Sequence, residues 1–175
     1  MGGTLESKVV HTLYLAFRDQ GFHALRFNFR GVGTSTGSYE EGVGERGDVD
    51  AALDWLEARY PGLPLIAGGF SFGSMVALGT AAPQERVVAL FGLGLPILWY
   101  DYSFLGKGKK PVLIVQGEED EFGSGPEVAP VVAELGDHVT LVRIPEADHY
   151  FNGHINEMKA AMSAYFESGP GSQVV

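Results

Sequence analysis

The sequence has no cysteine, few cations and no long apolar run, and each absence narrows what the protein can be. Without cysteine among its 175 residues, it can form no disulfide, thiolate nucleophile or iron–sulfur site. Only 12 Lys and Arg oppose 22 Asp and Glu, giving a net charge of −10, which disfavours binding to nucleic acids or anionic membranes. No apolar run approaches the ~20 residues that span a bilayer, and the N-terminus has no signal pattern. We therefore expect a cytoplasmic protein with no nucleic-acid and no membrane partner.

The remaining composition is typical of a globular protein with a sizeable core. Apolar residues make up 45% of the chain and charged residues 19%, which fits one domain. We expect that domain over residues 1–168. Residues 169–175 are predicted to form a flexible tail, because Gly, Ser and Pro dominate the segment that begins at Ser168.

Strand-like apolar runs alternate with amphipathic helical patterns along the chain. This alternation predicts an α/β fold with a mostly parallel sheet of about five strands, flanked by helices. The predicted strands are His23 to Arg30, Leu63 to Gly69, Val87 to Leu93, Val112 to Gln116 and Val139 to Ile144. The predicted helices are Ser7 to Gln20, Glu45 to Tyr60, Phe72 to Ala82, Pro126 to Leu135 and a final helix from about Ile155 to Phe166.

The most informative motif is Gly-Phe-Ser-Phe-Gly at residues 69–73. It is a G-x-S-x-G pentapeptide between a predicted strand and a predicted helix, the context in which a serine hydroxyl projects above the end of a sheet. Glycines suit such a turn because strand and helix crowd together there. Chance matches are common in a chain with 25 glycines, so the flanking elements carry the argument for Ser71.

A serine nucleophile needs a histidine base, and the histidine needs an acid that fixes its tautomer. Four acids follow the strand that ends at Gln116, and we favour Asp120 for its short side chain and its position beyond Gly117; the others are Glu118, Glu119 and Glu121. His149 follows the next strand. The order Ser71, Asp120, His149 is that of α/β hydrolases.

Other candidates have ordinary alternatives. His154 is the second choice for the base, and structural roles are expected for the remaining histidines, His11, His23 and His138. Asp148 is expected to cap a turn or face solvent. His149 and His154 lack a third metal ligand, so we expect no metal. The glycines of residues 31–37 do not follow the G-x-G-x-x-G spacing, so we expect no dinucleotide cofactor either.

Together these motifs resemble the α/β-hydrolase superfamily, and more narrowly its small dienelactone-hydrolase-like bacterial members described as carboxylesterases. The matching blocks keep the family order: Gly2-Gly3-Thr4, residues 26–33, residues 67–73, residues 100–105, residues 115–122 and residues 147–151. The resemblance implies that Ser71 is the nucleophile, Asp120 the acid and His149 the base. It further implies that the Phe72 N–H is one donor of the oxyanion hole.

The chain departs from this family at its start. In the family, two or three strands precede the Gly2-Gly3 block, and the loop after the last of them supplies the other oxyanion N–H. Here the candidates for that donor are amides near Gly2, Gly3, Thr4 or Leu5. We expect His23 to Arg30 to pair directly with the strand before Ser71; the alternative is that another chain covers the open edge in an oligomer, such as a homodimer.

The expected activity is hydrolysis of small-molecule, short-chain carboxylic esters through an acyl-enzyme. The same residues also suit a small-acyl thioesterase, a peptidase, or a catalytically impaired protein that only binds a ligand. The segment before Lys107 is too short for a large lid. Its aromatic residues are expected to line a small acyl pocket or, equally, to pack in the core: Trp99, Tyr100, Tyr102 and Phe104.

Overall fold

Four parallel strands form the centre of the computed structural model, which describes residues 3–173. The strands lie in the sheet in chain order: β1 Leu65–Phe70, β2 Val87–Leu93, β3 Val112–Gly117 and β4 Val139–Ile144. The helices are α1 Lys8–Asp19, α2 Glu45–Arg59, α3 Phe72–Ala81, α4 Gly125–Leu135 and α5 Ile155–Glu167. Short 3₁₀ helices cover Ser103–Lys107 and Pro170–Gln173. The predicted α/β class and parallel sheet are confirmed.

The helices cover both faces of the sheet and divide the core into two halves. On one face, Val49 and Leu53 of α2 pack with Val76 and Leu78 of α3. On the other face, α1 and α5 pack on the sheet through a second apolar cluster that includes Val9, Leu13, Phe17, Met158 and Met162. β3 is buried along its whole length, as expected for a strand enclosed on both faces.

Local signals set several helix ends. Ser7 caps the start of α1, and its side-chain oxygen accepts a hydrogen bond from the Val10 N–H at 3.2 Å. α4 begins with a capping box, in which Ser124 and Glu127 each bond the other's backbone. These polar caps satisfy amides that a helix leaves unpaired at its start.

The predicted strand at His23–Arg30 is absent, and the prediction that it pairs with the strand before Ser71 is wrong. Residues 22–29 have no regular secondary structure, and no backbone hydrogen bond within residues 3–173 joins them to β1. A groove of about 740 Å³ separates the two segments. Among the residues that the structure describes, β1 therefore pairs only with β2 and forms one edge of the sheet.

Side-chain contacts hold residues 22–29 in place without a ladder. Phe27 and Phe29 pack on the α2 and α3 side, whereas Phe22 and Ala24 pack on the α1 side. The Asn28 side chain accepts a hydrogen bond from the Leu5 N–H at 2.7 Å. Alternate apolar side chains of this segment thus pack on opposite sides, as in a strand. A strand also requires backbone hydrogen bonds to a neighbouring segment, and the alternation does not provide them.

Arg30 and Asp48 join the end of this segment to α2. Asp48 accepts bonds from the Arg30 backbone N–H at 2.9 Å and from the guanidinium at 2.9 and 3.2 Å. Partial burial raises the pKa of Asp48, but the hydrogen bonds from Arg30 outweigh it and lower that pKa overall. Arg30 also pairs with Glu40 at 2.9 Å, which fastens the loop before α2.

We expect Asp48→Asn to lower the free energy of unfolding by on the order of 1 kcal/mol, allowing for partial solvent exposure. Because the folded-state pKa is depressed, the contribution is complete above the unfolded value of about 4 and disappears as the pH falls through the folded value. Urea unfolding of wild type and variant at pH 7 and at pH 3 measures the loss of stability and its disappearance in acid. Asp54→Asn is the control on the same helix, since the Asp54 side chain is 68% exposed. Equal stability of Asp48→Asn and wild type at pH 7 would contradict the assignment.

Candidate active site

Ser71 occupies a strained turn between β1 and α3. Its backbone has φ 55° and ψ −129°, a conformation that non-glycine residues rarely adopt. The turn is tight enough that a Cβ on Gly69 would lie 2.5 Å from the Gly73 carbonyl carbon. Gly69 is therefore explained by close backbone approach, whereas a Cβ on Gly73 would meet only the Phe29 ring, at 3.8 Å.

A buried hydrogen-bond chain supports this turn from below. The Ser71 carbonyl accepts from the Ser74 N–H at 2.8 Å and from the Ser74 hydroxyl at 2.7 Å. The Tyr102 hydroxyl lies 2.8 Å from the same Ser74 oxygen. Burial raises the pKa of Tyr102, and the bond to Ser74 offsets only part of that rise, so the phenol keeps its proton. Tyr102 therefore stabilises the turn.

The structure brings the three predicted catalytic side chains into one hydrogen-bonded row. His149 Nε2 lies 2.9 Å from Ser71 Oγ, and His149 Nδ1 lies 2.9 Å from Asp120 Oδ2. His149 and Asp120 are each only 2% exposed. The Phe122 N–H donates to the other carboxylate oxygen of Asp120 at 2.8 Å, so the acid is held at both oxygens.

His149 reaches Ser71 across the full width of the sheet, because its loop follows β4 and Ser71 follows β1. The loop folds back over the end of β3, where the Ala147 carbonyl accepts from the Glu119 N–H at 3.0 Å. A Cβ on Gly117 would lie 2.3 Å from the Ala147 oxygen. The glycine that ends β3 thus makes room for the loop that carries the base.

The competing candidates lie elsewhere. His154 precedes α5 and is 3.6 Å from Glu157. Asp148 accepts from the backbone N–H groups of Tyr150 and Asn152, each at 3.0 Å, which is the capping role expected of it. Glu118 pairs with Arg143 at 3.2 Å. Of the remaining histidines, His23 stacks on Tyr60, and the His138 ring lies 3.1 Å from the Leu105 carbonyl oxygen.

Aromatic rings surround His149. The ring centroids of Phe70, Phe122 and Tyr150 lie 4.8, 4.6 and 5.1 Å from the imidazole centroid. Trp99 packs on Phe122 at 4.9 Å and is 62% exposed, so it forms an outer rim. Sequence reasoning did not single out Phe70, Phe122 and Tyr150, although each is within two residues of a predicted catalytic residue.

The residues predicted for the acyl pocket separate into two groups. Trp99 lines the 740 Å³ groove together with Ser71, Phe72 and His149. Tyr100 and Tyr102 instead line a shallower cavity of about 400 Å³, also bordered by Trp99. Phe104 packs against Tyr102 with a centroid distance of 6.1 Å. The structure therefore places Trp99 in the same groove as Ser71, whereas Tyr102 is a buried support.

The predicted oxyanion donor, the Phe72 N–H, lies at the start of α3. Phe72 is the first residue of α3, and the first amides of a helix have no partner within it. Of the proposed second donors, the Leu5 N–H is already bonded to Asn28. Gly3 and Thr4 line the same groove as Ser71, and Gly2 lies outside the described residues.

Residues 3–173 contain neither a cluster of metal ligands nor a helix that could span a membrane. Within that range, no three His, Asp or Glu side chains gather closely enough to hold a metal ion. No helix in the same range has the length and apolar character needed to cross a membrane.

Comparison with known proteins agrees with this geometry. The model of a family described as an alpha/beta hydrolase domain matches residues 1–164. This chain belongs to the α/β-hydrolase family. A serine hydrolase homologue from Coxiella burnetii is 36% identical, with a TM-score of 0.87, and the match covers 93% of this chain and 77% of that one.

Two further relatives are similar to this chain over most of its length. A lidless serine hydrolase from Xanthomonas campestris is 34% identical with a TM-score of 0.86, and the match covers 95% of this hydrolase and 75% of that chain. An uncharacterized protein of Rickettsia prowazekii is 34% identical over 172 residues, covering 93% of this chain and 72% of the relative.

Proposed function

We propose that this α/β hydrolase is a carboxylesterase-type serine hydrolase that cleaves short-chain carboxylic esters. The observation that carries the proposal is the unbroken row from Ser71 Oγ through His149 to Asp120, with 2.9 Å at each step. A row of this kind at a strained strand–helix turn is the arrangement in which a serine hydroxyl acts as a nucleophile.

In the proposed reaction each residue has a role. Ser71 Oγ attacks the ester carbonyl carbon while His149 Nε2 accepts its proton. Asp120 holds the imidazole by its Nδ1–H and stabilises the positive charge that forms. The Phe72 N–H faces the developing oxyanion. His149 then returns the proton to the leaving alcohol, and water attacks the acyl-enzyme by the same route to release the acid.

The surroundings of Ser71 favour a neutral, apolar acyl group. Phe72, Phe122 and Trp99 line the same groove as Ser71. The two arginines that also line it are already paired with acids: Arg26 with Glu6 at 3.8 Å and Arg30 with Asp48 at 2.9 Å. We assign short acyl chains because Trp99 forms an outer rim and, within residues 3–173, the segment between β2 and the 3₁₀ helix Ser103–Lys107 is too short to form a large lid. Thioesters and peptides are the alternative substrates for the same row of residues.

A fluorophosphonate probe tests the proposal directly. We expect covalent labelling of the native protein at Ser71, detected by intact mass and peptide mapping, because the probe forms a stable adduct only with an activated serine. Heat-denatured protein is the matched control and should remain unlabelled. Labelling without ester turnover would favour the thioesterase or peptidase alternative. The absence of labelling would instead favour the catalytically impaired binding protein.

A further inference from the structure

Gln116 is a buried polar residue that the reaction as described does not use. It is the last but one residue of β3, an inner strand of the sheet that leads to Asp120, and it is 0% exposed. A buried amide must find partners for its oxygen and for both N–H groups, and each missing partner carries a penalty. The contacts of Gln116 therefore show which hydrogen bonds a side chain at this position has to make.

The Gln116 amide is satisfied on both sides. Its Oε1 accepts from the Leu95 backbone N–H at 2.7 Å. Its Nε2 donates to Asp120 Oδ2 at 2.8 Å and to the Gly123 carbonyl at 2.6 Å. Because the Leu95 N–H can only meet an acceptor, the amide orientation is fixed, and its NH₂ group must point to Asp120.

These bonds act on the carboxylate that holds the base. Asp120 Oδ2 receives both the Gln116 N–H and His149 Nδ1, and Oδ1 receives the Phe122 N–H. Three donors thus determine the rotation of the carboxylate about its side-chain bond. Removing the Gln116 donor leaves Oδ2 with His149 alone, so the carboxylate can turn and the imidazole loses its fixed direction toward Ser71.

We infer that Gln116 is a positioning residue for the catalytic row: its side-chain N–H sets the orientation of Asp120 and, through Asp120, that of His149. This inference rests on the proposed serine hydrolase function. The residue touches neither substrate nor the reacting oxygen, and it acts only through the acid. It also ties the loop after β2 to the loop after β3 by bonding Leu95 and Gly123.

The test is a double-mutant cycle with Gln116→Met and Asp120→Asn. Methionine has a similar length and no N–H donor. We expect Gln116→Met alone to reduce kcat by about 10- to 100-fold, the usual effect of a lost hydrogen bond to a charged group, with KM nearly unchanged. In the Asp120→Asn background the same change should have little further effect on kcat, because the carboxylate that Gln116 orients is already absent. Independent, additive losses would overturn the inference.

Two controls separate positioning from general damage. Gln84→Met makes the same chemical change in the turn that follows α3. The Gln84 side chain donates to Asp50 and to the Thr80 carbonyl, and the variant should keep wild-type kcat. Should Gln116→Met fail to fold, Gln116→Leu replaces it in the cycle, since leucine also has no donor and places no new charge beside Asp120. The same non-additivity is required of that variant.

A spectroscopic readout is independent of ester turnover. The hydrogen-bonded Nδ1–H proton of His149 should give a low-field proton resonance in the wild type, and that resonance should broaden or move upfield in Gln116→Met. A wild-type protein that hydrolyses no ester would contradict the proposed function, while this spectrum would still test Gln116. An unchanged resonance in Gln116→Met would overturn the positioning role.

Discussion

Ser71→Ala is expected to reduce hydrolysis of a short p-nitrophenyl ester by about 10⁴-fold or more, to the background rate. In the proposed reaction the hydroxyl 2.9 Å from His149 Nε2 forms the acyl-enzyme, and alanine has nothing in its place. Folding should persist, because the Ser71 backbone makes the supporting bonds to Ser74 and Leu93. Steady-state kinetics with circular dichroism measures both effects.

Ser103→Ala is the matched control, since Ser103 is exposed and its side chain bonds only to Asp101. It should retain wild-type turnover. Wild-type turnover in Ser71→Ala would instead remove the nucleophile assignment altogether.

His149→Ala is expected to lower kcat to a similar extent, because the serine then has no base and the Asp120 carboxylate loses its partner. His154→Ala should change kcat by less than about threefold, since its ring lies beside Glu157 and outside the row. The pair is informative because both histidines belong to one short segment between β4 and α5. Kinetics on the same ester compares them.

The reverse ranking would identify His154 as the base and would require the segment between β4 and α5 to rearrange. Equal losses in both variants would mean that the segment acts as a unit. Either result would contradict the roles given to His149 and Asp120.

Much of the fold could be predicted from local pattern. The bounds of β2 and β4 agree with the apolar runs Val87–Leu93 and Val139–Ile144. β1 begins at Leu65, two residues later than expected, after Pro64, whose nitrogen has no hydrogen to donate to a ladder. The prediction of a strand at His23–Arg30 was wrong because strand pairing depends on two segments, and the apolar pattern of one segment says nothing about its neighbour.

Only part of the candidate site could likewise be predicted from the sequence. The order of Ser71, Asp120 and His149, and their positions after strands, could be predicted because parallel strands deliver their ends to one edge. The buried role of Tyr102 could not, since an aromatic beside a loop fits a pocket and a core equally well. Gln116 had no signal of its own, because its partners Leu95 and Gly123 belong to other loops.

The open edge of β1 has a consequence for how the protein would lose activity. Ser71 follows β1 and His149 follows β4, the two outer strands, whereas Asp120 follows the enclosed β3. Outer strands open at lower free energy than central ones, and β1 has a ladder on one side only. Fraying at either margin would separate nucleophile from base while the middle of the sheet stayed folded. Inactivation would then precede global unfolding, with Asp120 still anchored at the centre.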